Sequence, residues 1–161
     1  MNSDNRFLGL IEKSIKENWE RPALSDYQSK PIHYKDVAME IKKLHLLFEQ
    51  SGLQKGDKIS IVAGNSANWA ISFFGILSYG CVAVPILHNF IPESIANIIN
   101  HSESKGLIIA KNQVADINKH SYPNLSLVAY IEDFSIHLNK GKDAPQSYET
   151  LQEHFTQLYP N

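Results

Sequence analysis

Residues 52–85, GLQKGDKISIVAGNSANWAISFFGILSYGCVAVP, read as a turn, a short strand, a helix and a second strand in immediate succession, and this order leaves few ways to pack. Gly52 and Gly56 adopt positive φ without a Cβ clash, so GLQKGD ends a preceding helix in a tight turn whose surface carries Lys55, Asp57 and Lys58. Ile59-Ser60-Ile61-Val62-Ala63 is brief, β-branched and apolar, as expected of a strand covered on both faces. Asn65 or Ser66 is placed to cap the helix that follows. Trp69, Ala70, Phe73, Phe74, Ile76 and Leu77 make that helix apolar over most of its circumference, which predicts deep packing. Gly80 stops the helix. Cys81-Val82-Ala83-Val84 is expected as a second buried strand, closed by Pro85, which has no N–H for a ladder.

The flanking sequence supplies partners for these elements. Phe7, Leu10, Ile11, Ser14, Ile15 and Trp19 fall on one face of an amphipathic helix over Phe7–Trp19, which needs a surface to lie on. Ala23-Leu24-Ser25 and Ile32-His33-Tyr34 bracket the polar stretch DYQSK and predict a hairpin. Val37, Ile41, Leu44, Leu47 and Phe48 recur at helical spacing between Tyr34 and Gln50, with Ser51-Gly52 as the stop. Pro92 suits the first turn of a further helix carrying Ile95, Ile98 and Ile99, and Glu93 is favourable beside its N-terminus. Strands centred near Ile61, Val82, Ile108 and Val128, with helical patterns between at least the first three, give an α/β fold. Its sheet is expected to be mainly parallel and flanked by helices on both faces. We divide the chain into an α/β subdomain, residues 1–138, and a polar linker with a terminal helix, residues 139–161; Tyr148, Leu151, Phe155 and Leu158 outline that helix.

Composition narrows the classes of function. The chain has 161 residues, 43% hydrophobic and 20% charged, which suits one globular domain. A net charge of −2 gives no general attraction to nucleic acid or anionic lipid, and no nucleic-acid partner is expected. The single cysteine, Cys81, excludes an internal disulfide and fits a reducing compartment, and MNSDNRF lacks a signal pattern, so a cytoplasmic location is expected. Ala70–Leu87 is free of charge over 18 residues, the length of a membrane span, but Gly75, Gly80 and Pro85 fall inside it. A helix that breaks at Gly80 and continues as a strand accounts for them, so no transmembrane segment is expected.

The Gly-x-x-x-Gly-Asp turn, the strand, Asn65-Ser66 with its aromatic helix, and Gly-x-Val-x-Val-Pro form an ordered set. Pro22-Ala23-Leu24 and Ile32-His33-Tyr34 precede it, and Pro92-Glu93, Asn100-His101-Ser102-Glu103 and Leu107-Ile108-Ile109 follow. This set resembles the N-terminal segment of the adenylate-forming (AMP-binding) acyl-CoA synthetases and is most similar to the long-chain fatty acid CoA ligases. The resemblance implies a parent enzyme that joins a fatty acid to AMP using ATP and magnesium, then passes it to coenzyme A, releasing pyrophosphate and AMP.

That resemblance also implies machinery which the residues do not contain. A Ser/Thr/Gly-rich phosphate loop with its lysine, an aromatic-Thr-Glu motif, a ribose-binding aspartate and a C-terminal catalytic lysine are missing. Ala63-Gly64-Asn65-Ser66 has one glycine and no following lysine, whereas a phosphate cradle needs clustered backbone N–H groups. The expectation is therefore an N-terminal fragment with no catalytic residue, no metal site and no cofactor of its own, whose partner is the remainder of the parent synthetase. Leu87–Pro92 follows a strand and precedes a helix, at the carboxyl edge of a parallel sheet where ligands collect. The resemblance places the matching loop near the nucleotide of coenzyme A, which makes His88 and Asn89 candidate binding residues; solvated loop residues or an inter-domain contact is the other reading. No arginine follows the next strand, and Lys111 is the only basic residue immediately there.

Other local patterns are weaker. Gly64-Asn65-Ser66-Ala67-Asn68 lacks the second glycine of a nucleophile elbow, and His101-Ser102-Glu103 lacks the Pro-Cys-x-x-Cys that accompanies His-x-Glu in zinc deaminases. Cys81 is expected to be a small apolar filler. The alternative from another class is a free-standing α/β binding or regulatory module of flavodoxin-like type, which would want a Ser/Thr-rich phosphate loop after its first strand.

Overall fold

A computed structural model describes residues 6–117, 119–141 and 147–158. Residues 142–146 of the expected linker, the first five residues and residues 159–161 lie outside the described residues. The elements run α1 Phe7–Glu17, β1 Pro22–Leu24, β2 Ile32–His33, α2 Tyr34–Gln50, β3 Lys58–Val62, α3 Ala67–Tyr79 and β4 Val82–Ile86. Then follow α4 Pro92–His101, β5 Gly106–Ile109, a 3-10 turn Lys111–Gln113, α5 Val114–Ile117, β6 Leu127–Tyr130, β7 Ile136–Asn139 and α6 Tyr148–Leu158.

The expected hairpin is present as the antiparallel pair β1–β2. The main sheet has the order β4-β3-β5-β6-β7, parallel from β4 through β6, with β7 antiparallel against β6. Side chains alternate across it. Ile59, Ile61, Ile108 and Leu127 face one core with Leu44, Phe48 and Ile71 of α2 and α3 and Leu151 of α6. Val62, Leu107, Ile109 and Val128 face a second core with Ile95 and Ile99 of α4. Cover on both faces accounts for the hydrophobic runs of the central strands, which in β3 are interrupted by Ser60, buried with its Oγ 2.8 Å from that of Ser104.

Local chemistry fixes the element ends. Asp36 closes a capping box at the start of α2, its Oδ2 accepting from the His33 backbone N–H at 3.2 Å. Of the two candidate caps for α3, Ser66 serves: its Oγ accepts from the Trp69 N–H at 3.1 Å. Gly80 ends α3 at φ +94°, a conformation that an L side chain resists. The uncharged run Ala70–Leu87 accordingly splits into a helix and a strand, and among the described residues no helix is long and apolar enough to cross a membrane.

Three expectations are corrected. β4 is the outermost strand of the sheet, with Val82 47% exposed, so it is not a second buried strand. Pro85 also lies within β4, where it does not close the strand. The Val82 N–H donates to the Asp57 carbonyl at 2.9 Å, which turns the backbone nitrogens of Ala83 and Pro85 toward the open edge, where a missing donor costs nothing. α3 is deeply packed on one side only: Ile71, Gly75 and Ile76 are buried, whereas Trp69, Phe73 and Phe74 are half-buried. Phe7 of α1 covers part of that aromatic side, 6.1 Å between its ring and that of Phe74, yet remains 52% exposed.

Candidate functional site at the carboxyl edge of the sheet

Because β3, β4, β5 and β6 run parallel, the turns that follow them gather at one edge. Renumbered from β3, the strand order is 2-1-3-4-5, and the switch point lies between β3 and β5, where crevices form outside carboxyl ends. The candidate residues stand here. His88 is exposed, and its ring lies over Gly64, since a Cβ on Gly64 would come 3.8 Å from His88 Cε1. Gln113 reaches across from the turn after β5 and donates its side-chain N–H to the His88 carbonyl. The loop after β4 is thus bridged to both turns that flank the switch point.

Asn89 goes elsewhere. It lines a shallow concavity with Phe90, Ile91, Ser94 and Ile98 on the outer side of α4, so the two candidates do not converge on one site.

The start of α3 borders the same edge. A helix N-terminus attracts anions because its first N–H groups lack partners. Here the Asp26 carboxylate, carried by the β1–β2 hairpin, accepts from the Ala67 N–H at 2.8 Å, and Ser66 takes the Trp69 N–H. The position a phosphate would occupy holds a carboxylate of this chain.

Lys111 is not a free cation. Its Nζ pairs with Asp133 and lies 5.5 Å from the centre of the Tyr130 ring, while its backbone N–H donates to both oxygens of Glu132 at 3.0 and 3.2 Å. The hydrogen bond to Asp133 raises the lysine's pKa. Burial alone would raise that of Asp133, but hydrogen bonds from Lys111 and Ser135 outweigh it and hold the carboxyl below its ordinary range. Asn68 ties this corner to α3 by donating to the carbonyls of Ile131 and Glu132 at 2.8 and 3.0 Å.

The edge offers an imidazole, amides and a neutralised ion pair, which suit hydrogen bonding to a ligand. Cys81 lies apart. Burial first, then the charge of Asp57, pushes its thiol up to about 11, and its Sγ donates to the Gln54 carbonyl at 3.3 Å. Among the described residues no cluster of three or more His, Cys, Asp or Glu is arranged to hold a metal ion. Gln113 and Asp26 had no signal in the sequence beyond being polar residues in turns, and only the fold brings them to this edge.

Comparisons with known proteins fit this architecture. The family model described as AMP-binding enzyme matches residues 11–157. Fatty acyl-CoA synthetase A of Dictyostelium discoideum is 30% identical over 115 residues, covering 71% of this chain and 16% of that protein. Crotonobetaine/carnitine–CoA ligase of Proteus mirabilis (strain HI4320) is 32% identical over 79 residues, covering 49% of this chain and 15% of its own length. The structure of an anthranilate CoA ligase in complex with anthranoyl-AMP superposes with a TM-score of 0.71 at 20% identity, over 87% of this chain and 28% of that one. The chain thus spans about a sixth of the curated relatives named here. The strand order alone is compatible with a flavodoxin-like module, but the family match runs through the hairpin, both cores and α6, and on that ground the chain belongs to the AMP-binding, adenylate-forming enzymes.

Proposed function

We propose that this chain is the N-terminal portion of the large domain of a longer acyl-CoA synthetase, a folded scaffold that does not activate acids by itself. The observation that carries this reading is the turn between β3 and α3. It has one glycine, no lysine, and an N-terminal helix end already bound by Asp26, so the nucleotide chemistry of the family needs residues from elsewhere in the parent. The parent would use ATP, magnesium and coenzyme A to turn a fatty acid into its CoA thioester. Long-chain acids are the proposed substrates, supported by the residue set that the chain shares with fatty acyl-CoA ligases; relatives named for carnitine derivatives mark the breadth of the family. Its partner is the rest of the synthetase, in a reducing, cytoplasmic setting that suits one buried thiol.

Two measurements test this. DNA 3′ of the Asn161 codon should encode a Ser/Thr/Gly-rich segment ending in lysine within a few tens of codons, and a stop codon directly after Asn161 would overturn the proposal. The 161-residue chain alone should give no acid-dependent release of pyrophosphate from ATP.

For coenzyme A we propose that His88 meets the nucleotide end; Asn89, turned to the outer side of α4, does not share that contact. His88→Ala in the parent enzyme should raise the KM for CoA while leaving that for the acid unchanged. An unaltered KM for CoA would remove His88 from the site.

A further inference from the structure

The loop over residues 87–91 is anchored at its ends and loose between them. Ile86 before it and Ile95 after it are buried in the second core, and Pro92 fixes the backbone where α4 begins. Leu87, Phe90 and Ile91 are 61%, 42% and 65% exposed, so the loop has no buried apolar side chain to hold it down. A turn in which the Phe90 N–H donates to the Leu87 carbonyl at 3.2 Å keeps its own shape. Segments with so few buried contacts lie at the low end of local stability.

Its path crosses the switch point. The His88 ring passes over Gly64 in the turn after β3, its Cε1 3.8 Å from where a Cβ there would stand. The His88 carbonyl accepts from the Gln113 side chain in the turn after β5. Among the described residues this is the one hydrogen bond that ties the middle of the loop to another turn.

That bond has a built-in cost. Only the nitrogen of the Gln113 amide can face a carbonyl, which fixes the orientation of the group. Its Oε1 is thereby left buried and without a partner among the described residues. The closed arrangement gains one hydrogen bond and orphans one acceptor, effects of the same order and opposite sign. Swinging the loop away loses the bond but lets Gln113 turn its whole amide to water. The two states are therefore close in free energy.

We propose that residues 87–91 form a strap over the crevice between the turns after β3 and β5, with Gln113 as its latch. It opens on the microsecond-to-millisecond timescale of enzyme lids. Opening uncovers Gly64 and frees the Gln113 amide for a ligand at the carboxyl edge. The strap is a property of this chain and stands whether or not coenzyme A is what enters.

NMR of the 161-residue chain tests this. A cross-peak between Gly64 Hα and His88 Hε1 should report the closed strap. Relaxation dispersion should give one shared exchange rate for the backbone amides of residues 87–91 and the Gln113 side-chain nitrogen. Gln113→Glu keeps the shape of the side chain but sets a carboxylate against the His88 carbonyl. At pH 7 it should weaken the cross-peak by about tenfold or more, while the amide signals of β3 and β5 stay in place. Survival of the cross-peak at full strength in that variant would overturn the proposal. So would its absence from the unaltered chain, a strap without exchange, or separate rates for the strap and Gln113, and none of these three results depends on a variant folding.

Discussion

His45 sits where α2 crosses α3, its Nε2 3.1 Å from the Gly75 carbonyl and 2.9 Å from the Ser78 hydroxyl. Burial lowers its pKa, and the contact with Gly75 opposes that only in part. A folded-state pKa below the unfolded value means that the unfolded chain takes up the proton first as pH falls. The contribution of His45 is therefore complete above about pH 6.5 and is lost as pH drops through the folded-state value. Urea midpoints measured from pH 8 to pH 5 should fall less in His45→Gln than in the unaltered chain. Two other residues have sharper roles. Ser66→Ala should cost about 1 kcal/mol by removing the α3 cap. A Cβ on Gly141 would lie 2.4 Å from the Gln50 carbonyl oxygen and 2.8 Å from Ser51 Cα, both backbone atoms, so Gly141→Ala should cost about 1–3 kcal/mol in the same urea assay. The Ser66 cap and the Gly80 stop were legible in the sequence because each acts on neighbours three or four residues away. The crowding at Gly141 was not, since the atoms it meets belong to a helix end some ninety residues earlier.

Among the elements, α2 shows how far local pattern reaches: its apolar spacing and its stop gave Tyr34 and Gln50, the observed bounds. β4 shows where it fails. Cys81-Val82-Ala83-Val84 is as apolar as a buried strand, and only the sheet order reveals that, among the described residues, one side of it has no neighbouring strand. β7, IHLN, was not anticipated, because a short mixed strand is defined by its pairing with β6 and not by its own composition. One rung of the sheet tests this view of the edge. Pro85 pairs with Ile61, which is fully buried. Ile61→Ala should cost about 2–5 kcal/mol. Pro85→Val should change stability by less than about 0.5 kcal/mol but restore an outward N–H, and sedimentation should then detect increased self-association through β4.

Across the whole molecule, the parallel strands bring four turns to one edge, and this arrangement was legible because strands and helices alternate at regular intervals. His88 could be placed there from sequence for that reason, while its bridge to Gln113 and its divergence from Asn89 required the packed sheet. The Asp26–Ala67 hydrogen bond joins residues 41 apart in sequence and fastens the hairpin to α3. Closing so wide a loop is entropically unfavourable until β3 and α3 have already docked. The clasp should therefore form after the rate-limiting step. Asp26→Ala should lift the unfolding limb of a chevron plot by about fivefold and leave the refolding limb nearly unchanged, so that this carboxylate governs how long the native chain persists and not how quickly it is reached.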